Sequence, residues 1–251
     1  MEEESGMEIR VTPRIGDIPS AACNALVGPL DSPFVRHEWL SSLEDAGCVK
    51  PELGWLPQHL TVWKNDTLVA AAPAYLKGNH EGEFVFDHAW HRVADRLRIP
   101  YYPKLIVAVP FTPATGRRLL VGSGEEAPLY RSLLAEAIRT IVEQHELSSA
   151  HVLFSLAEES ETLADDGFLP RLGIQFHWKN EGYATLDDFL ATMNAKRRHQ
   201  WKRERREVLA SGLVIRTLRG KEIGEQTLEA MTSFYASTCD CLLYTSDAAD
   251  E

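Results

Sequence analysis

The run Tyr101–Thr112, YYPKLIVAVPFT, is the most strand-like stretch of the 251-residue chain. Its apolar core, Leu105–Val109, is continuous rather than alternating. That pattern predicts a strand buried on both faces, hence a sheet with cover on either side.

The flanks supply both sheet and cover. Upstream, His59–Trp63 and Leu68–Leu76 are β-rich runs joined by Lys64-Asn65-Asp66-Thr67, the composition of a hairpin. Glu83–Phe86 reads as a short strand leading into a helix over Asp87–Leu97, with Asp87 at the capping position. Downstream, Pro113–Gly124 is broken by proline and glycine. Ala127–His145 then carries Leu129, Leu133, Leu134, Ala137, Ile138, Ile141 and Val142 at helical spacing. Ala150–Ser155 is a strand, Glu159–Asp166 a short helix and Phe168–Trp178 a further extended segment.

Towards the N-terminus, Glu8–Thr12 is a strand and Pro19–Val27 is helix-like. Asp31-Ser32-Pro33 caps a helix over Phe34–Ala46 that stops at Gly47. This order of elements predicts an α/β fold with a mixed sheet. Thr185–Met193 opens another helix, Leu213–Leu218 is a strand and Gly224–Thr238 is a helix.

Hydrophobic residues at 44% suffice for a sizeable core. A formal net charge of −11 argues against a general nucleic-acid or membrane-surface coat, though not against one local anion site. No apolar run reaches the roughly 18 residues of a membrane span. The opening MEEESGMEIR is acidic where a signal peptide would be basic, so the expected compartment is the cytoplasm. The acidic lead before Met7, a second candidate start, looks dispensable. Four cysteines without metal-ligand spacing read as reduced and structural.

One segment runs against the charge balance. Ala195–Gly212, AKRRHQWKRERREVLASG, holds seven cations and two acids between Lys196 and Glu207, a net +5. Its apolar positions, Trp201, Val208 and Leu209, make only a narrow packing stripe. Arg198, Lys202 and Arg205, spaced four and then three, share one helical face suited to phosphates. The same charges would also suit a solvated helix partly neutralised by Glu204 and Glu207.

Several runs together resemble the FemAB-like branch of the GNAT (Gcn5-related acetyltransferase) superfamily, the peptidoglycan biosynthesis or recognition proteins. They are Pro33–Gly47, Gly54–Leu60, EFVFDHAW (Glu83–Trp90), YYPKLIVAVPFTPATGRRLL (Tyr101–Leu120), Gly173–Tyr183 and the basic helix. YYPKL…VPFTPATG is the most specific piece. The resemblance implies two GNAT-like domains in tandem: a first over residues 7–182, and over 183–240 the opening helices and strand of a second. Residues 241–251, CLLYTSDAADE, resemble the translation of a sequencing adapter, so a non-native tail is expected there, with the natural chain continuing past Thr238.

The resemblance further implies an N-acyltransferase that takes acetyl from acetyl-CoA, or an aminoacyl group from aminoacyl-tRNA, to a small-molecule or peptide amine. In either case a neutral amine attacks a thioester or ester carbonyl, and donors must hold the oxyanion. Asp87, His88 and Tyr102 are the candidate catalytic residues. Asp87 as a simple N-cap and Tyr102 as core are the plainer readings. Lys104, Arg117, Arg198, Lys202 and Arg205 are the candidate substrate- or anion-binding residues, and Arg198 matches the arginine opening the equivalent helix of Fem-type transferases. Backbone amides around Gly122-Ser123-Gly124 could take a diphosphate, against which Glu125 and Glu126 argue. No metal is expected, since His88/His91 lacks a third ligand. A different class also fits: a non-catalytic module gripping RNA or an acidic partner with the basic helix.

Overall fold

Pro73 divides the predicted run Leu68–Leu76 in two. In the computed structural model, which describes residues 6–85 and 87–247 (side chains to 241), Thr67–Ala72 (β4) and Ala74–Lys77 (β5) belong to different sheets. Proline has no N–H for a ladder, so the chain leaves one sheet there and enters the next. The chain forms two compact units, Met1–Gln175 and Phe176–Glu251.

In the first unit, one sheet has the order β1-β3-β4-β7, from Met7–Thr12 (β1), His59–Lys64 (β3), β4 and Leu120–Val121 (β7), all antiparallel. The β3–β4 turn places Asn65 and Asp66 at φ 48° and 62°, the double left-handed turn that matches strand twist. The other sheet has the order β2-β5-β6-β8, from Trp55–Pro57 (β2), β5, Lys104–Val107 (β6) and Ala150–Val152 (β8). Its β6–β8 pair is parallel, its other pairs antiparallel. The fold is therefore mixed α/β, as the order of elements predicts.

Ala127–Gln144 (α4) is the cover common to both sheets. Its Leu134, Ile138 and Ile141 share a core with Leu60 and Val62 of β3 and with Leu105 and Val107 of β6. The opposite face of the first sheet, with Leu68, Ala71 and Leu120, packs on Ser20–Ala25 (α1) and His37–Asp45 (α2) through Cys23 and Leu40. A bulge makes that exchange of faces work: Val62 pairs with Ala70 but Trp63 with Leu68, so Val69 is the extra residue and the parity of β4 switches. The core strand β6 behaves as its sequence predicts, with Leu105 and Val107 facing α4 and Ile106 meeting Leu153 on the other side.

Four further expectations change. The helix over Phe34–Ala46 is split, because Ser32 caps only a 3-10 turn at Pro33–Val35 and Arg36 is extended before α2. Glu83–Val85 is irregular, since Glu83 turns inward to a buried lysine; Phe86 lies outside the described residues. Phe168–Trp178 and Leu213–Leu218 form no strand, as neither segment has a ladder partner among the described residues.

The remaining helices of the first unit are His88–Leu97 (α3) and Ala157–Asp165 (α5). The second unit holds Leu186–Ala191 (α6), Ala195–Ala210 (α7) and Glu225–Asp247 (α8). Thr185 and Asp188 close a capping box on α6, Asn194 caps α7, and Gly212 at φ 75° ends α7 as its position predicts. Residues 1–5 and 248–251, which include the acidic lead and the end of the adapter-like tail, lie outside the described residues.

Candidate active site

The register of β5 against β6 sets two lysines side by side, Lys77 opposite Lys104, both fully buried. Buried ammonium groups require partners. Lys104 Nζ lies 3.1 Å from Asp87 Oδ2 and 2.9 Å from Glu83 Oε2. Apart from that ion pair, neither Glu83 oxygen has a hydrogen-bond partner among the described residues. The Lys104 ammonium also sits 4.8 Å and 4.9 Å from the ring centroids of Tyr101 and Tyr102. Tyr101 donates its hydroxyl to Asp87 Oδ2 at 2.5 Å, and His91 of α3 stacks on its ring. Lys77 donates to Asn79 Oδ1 and to the Glu81 carbonyl, with its ammonium 4.0 Å above the Trp55 ring. One cation thus faces two carboxylates among aromatic rings, with a second cation alongside.

The electrostatics of the cage differ from group to group. Burial raises the Asp87 carboxyl, but the Tyr101 hydroxyl and the Lys104 ammonium outweigh it and hold the group below its ordinary value. Burial raises the Glu83 carboxyl despite Lys104. Burial lowers Lys77 to about 8, and burial followed by the charge of Lys104 lowers His151 to about 4. Asp87 is therefore a fixed anion. The buried Tyr102 hydroxyl has no partner among the described residues and is the group with capacity to spare.

The structure brings together Asp87, Tyr102 and Lys104 of the predicted residues. Asp87 occupies the N-cap position of α3 without capping it, its side chain being committed to Tyr101 and Lys104. His88 is exposed and meets His80 rather than the cluster. Lys104 is enclosed, on a strand flanked by β5 and β8. Arg117 is taken up internally: it pairs with Asp31 and donates to the carbonyls of Leu26 and Val121.

A second feature lies at the β7–α4 junction. Gly122, Ser123 and Gly124 line a cavity of about 620 Å³ at the N-terminus of α4, and an adjoining one of about 470 Å³ that Arg131 and Glu158 also line. Glu126 is occupied by Lys64 and Tyr130, each at 2.7 Å, which removes part of its repulsion toward an anion. Arg131 Nε is buried with no partner among the described residues. Sequence reasoning misses Arg131, because along α4 it reads like any other polar-face arginine. Only the fold turns it toward the glycine loop.

On α7 the predicted cations divide by face. At 100° per residue, Arg198, Lys202 and Arg205 fall within about 60° of one another, with Trp201 beside them and Glu204 and Glu207 on the far side. The acids find other partners: Glu204 accepts from Gln200, and Glu207 sits 3.5 Å from Arg203. Lys202 reaches Asp187 at 2.8 Å. Arg198 and Arg205 have no side-chain partner among the described residues.

Comparison with known proteins assigns the chain. The family model for FemAB-like proteins of peptidoglycan biosynthesis/recognition matches residues 14–246. The chain belongs to the FemAB-like family. Membership supports acyl transfer as the class of reaction. No curated protein matches this FemAB-like chain. Among solved structures, a GCN5-related N-acetyltransferase from Ralstonia eutropha JMP134 is similar with a TM-score of 0.40 at 13% identity, over 69% of this chain and 99% of that one. Among the described residues, no group of three or more His, Cys, Asp or Glu could hold a metal ion, and no helix is long and apolar enough to cross a membrane.

Proposed function

We propose that this FemAB-like chain takes part in N-acyl transfer, moving an acetyl or aminoacyl group from acetyl-CoA or aminoacyl-tRNA to a small-molecule or peptide amine. The observation that carries this reading is the cavity over the N-terminus of α4 with the unpartnered Arg131 Nε beside it. Both donors carry phosphate, and a guanidinium beside a glycine loop suits a phosphate, although the Ala127 N–H is taken by the Gly124 carbonyl and Pro128 has none. The neutral amine attacks the acyl carbonyl and the carbonyl π pair moves to oxygen. Collapse re-forms the carbonyl and breaks the C–S or C–O bond, and the proton lost by the attacking nitrogen passes to the leaving thiolate or ribose oxygen, giving an amide and free CoA or tRNA. Within the cage, Asp87 acts as a positioning residue, fixing Tyr101 and Lys104 beside the buried Tyr102 hydroxyl. Residues 183–240 are the opening of a second domain of the same kind, a reading favoured by the strand-like yet unpaired Leu213–Leu218. Both donors are cytoplasmic, which favours that compartment.

The test uses labelled acetyl-CoA and, separately, charged tRNA with a panel of amines including a peptidoglycan-type peptide. Transfer of label is expected, and Arg131→Ala should weaken donor binding by about ten- to hundred-fold, read by calorimetry without turnover. Failure of the chain to bind or use either donor would refute the reading.

A second reading rests on the unpaired Arg198 and Arg205: an RNA- or acidic-partner-binding module built on α7. It predicts RNA affinity that falls steeply with salt and survives Arg131→Ala.

A further inference from the structure

Helix α3 buries none of its residues, although its sequence is strongly two-faced. Trp90, Val93 and Leu97, spaced three and then four, form one stripe, and Ile99 continues it past the helix end. They are 62%, 49%, 63% and 56% exposed. The helix is held to its unit from the other side, where His91 packs on Tyr101 and Tyr102 and lies 3.7 Å from Asp95. The apolar stripe thus points away from the protein that anchors it.

The rim of the stripe is cationic. Arg92 and Arg96 stand beside Val93 on the helical wheel and Arg98 follows at the C-cap. All three are exposed, and none has an ion pair or side-chain hydrogen bond among the described residues. With Asp95 as the one acid, His88–Arg98 carries a formal +2 in a chain of −11. An apolar face bearing Trp and Leu, bordered by arginines, matches a helix that lies in a membrane interface. The indole of Trp90 suits the headgroup level, the aliphatic side chains suit the acyl boundary, and the guanidinium groups suit anionic headgroups. A second protein would need an apolar groove and acidic residues placed to meet all three arginines, whereas an anionic bilayer supplies both at once.

We infer that α3 is a peripheral docking surface for an anionic lipid bilayer, laying Trp90, Val93 and Leu97 into the interface with Arg92, Arg96 and Arg98 on the headgroups. The inference rests on α3 alone and stands whether or not the chain transfers acyl groups.

Flotation of the full chain with vesicles tests it, using phosphatidylcholine alone and phosphatidylcholine with phosphatidylglycerol. The expected result is binding to the anionic vesicles only, weakened by salt. Leu97→Asp should abolish binding, and each arginine changed to alanine should weaken it about five-fold. Because Leu97 and the arginines are exposed, these variants should keep the wild-type melting curve. Brominated lipid should quench part of the tryptophan fluorescence in wild type, and that part should be missing in Trp90→Phe. Absence of binding to anionic vesicles, or binding unaffected by Leu97→Asp, overturns the proposal. So does concentration-dependent dimerisation that Leu97→Asp removes without any vesicle binding.

Discussion

The Lys104 cage and helix α7 carry charge in opposite ways. In the cage, Lys104 faces Glu83 and Asp87, and Lys77 beside it is held by Asn79, the Glu81 carbonyl and the Trp55 ring, so buried charge is compensated inside the fold. On α7, Arg198 and Arg205 are exposed and uncompensated among the described residues. Enclosed charge must be balanced by the protein, because removal from water is expensive. Exposed charge is balanced by solvent and stays available to a ligand. The first arrangement therefore acts on stability and the second on binding.

The contrast breaks most visibly at Lys104. Lys104→Met leaves Glu83 and Asp87 buried without their shared cation, and should cost about 3–5 kcal/mol in a urea titration. Adding Glu83→Gln and Asp87→Asn to that variant should recover much of the loss, since the uncompensated charges are then gone. If Lys104→Met unfolds like wild type, the carboxylates are not held by that lysine.

Glu159 offers the next largest effect. It is fully buried and accepts from the backbone N–H of Leu119 at 2.7 Å, of Arg118 at 2.9 Å and of Leu156 at 3.2 Å. Beside it, Arg118 donates to the carbonyls of Leu153 and Gly116, and burial lowers its guanidinium to about 10. One carboxylate thus ties the loop before β7 to the start of α5. Glu159→Gln keeps the shape but turns an amide toward these donors, and should cost about 2 kcal/mol by the same titration.

Neither site is fully legible in the sequence, for a shared reason. The apolar periods of α4 and β6 report burial directly, so those elements and the mixed sheet can be read from the chain. The basic run over α7 and its Gly212 end are equally local. A buried ion pair is not local. Asp87 and Lys104 meet because an irregular segment over Glu83–Val85 and a β5–β6 register put them together, and an N-cap reading of Asp87 is locally just as good. Arg131 fails to stand out for the same reason. The missed breaks, at Arg36 and Pro73, are also tertiary: at Arg36 the His37 N–H turns to the Asn24 side chain, and at Pro73 the chain changes sheets. Leu213–Leu218 shows the converse. Its strand pattern is sound, but a strand needs a neighbour.

A pH titration sharpens the enclosed side of the contrast. His151 has a folded pKa of about 4 against an ordinary 6.5, lowered by burial and then by Lys104. Between those values the unfolded chain binds the proton more readily, so stability falls as pH drops from 6.5 towards 4. Comparing wild type with His151→Gln cancels the other acidic groups. The stability difference between the two should shift by on the order of 2 kcal/mol across that window, wild type losing more. Parallel pH curves would mean His151 is not held neutral by the cage.

The smallest expected change in stability belongs to α7, and it is the most informative about function. Arg198→Ala and Arg205→Ala remove exposed side chains with no partner to orphan, so denaturation midpoints should stay at the wild-type value. Binding of inorganic pyrophosphate or RNA should weaken in each, and Arg203→Ala, whose side chain already pairs with Glu207, should change it least. A ranking in which all three arginines matter equally would mean that only the total charge of the helix counts. A loss confined to Arg198 and Arg205 would mean that the segregated face is the binding surface. In that case the charge left uncompensated on α7 is specific in position, as the compensated charge of the cage is specific in partner.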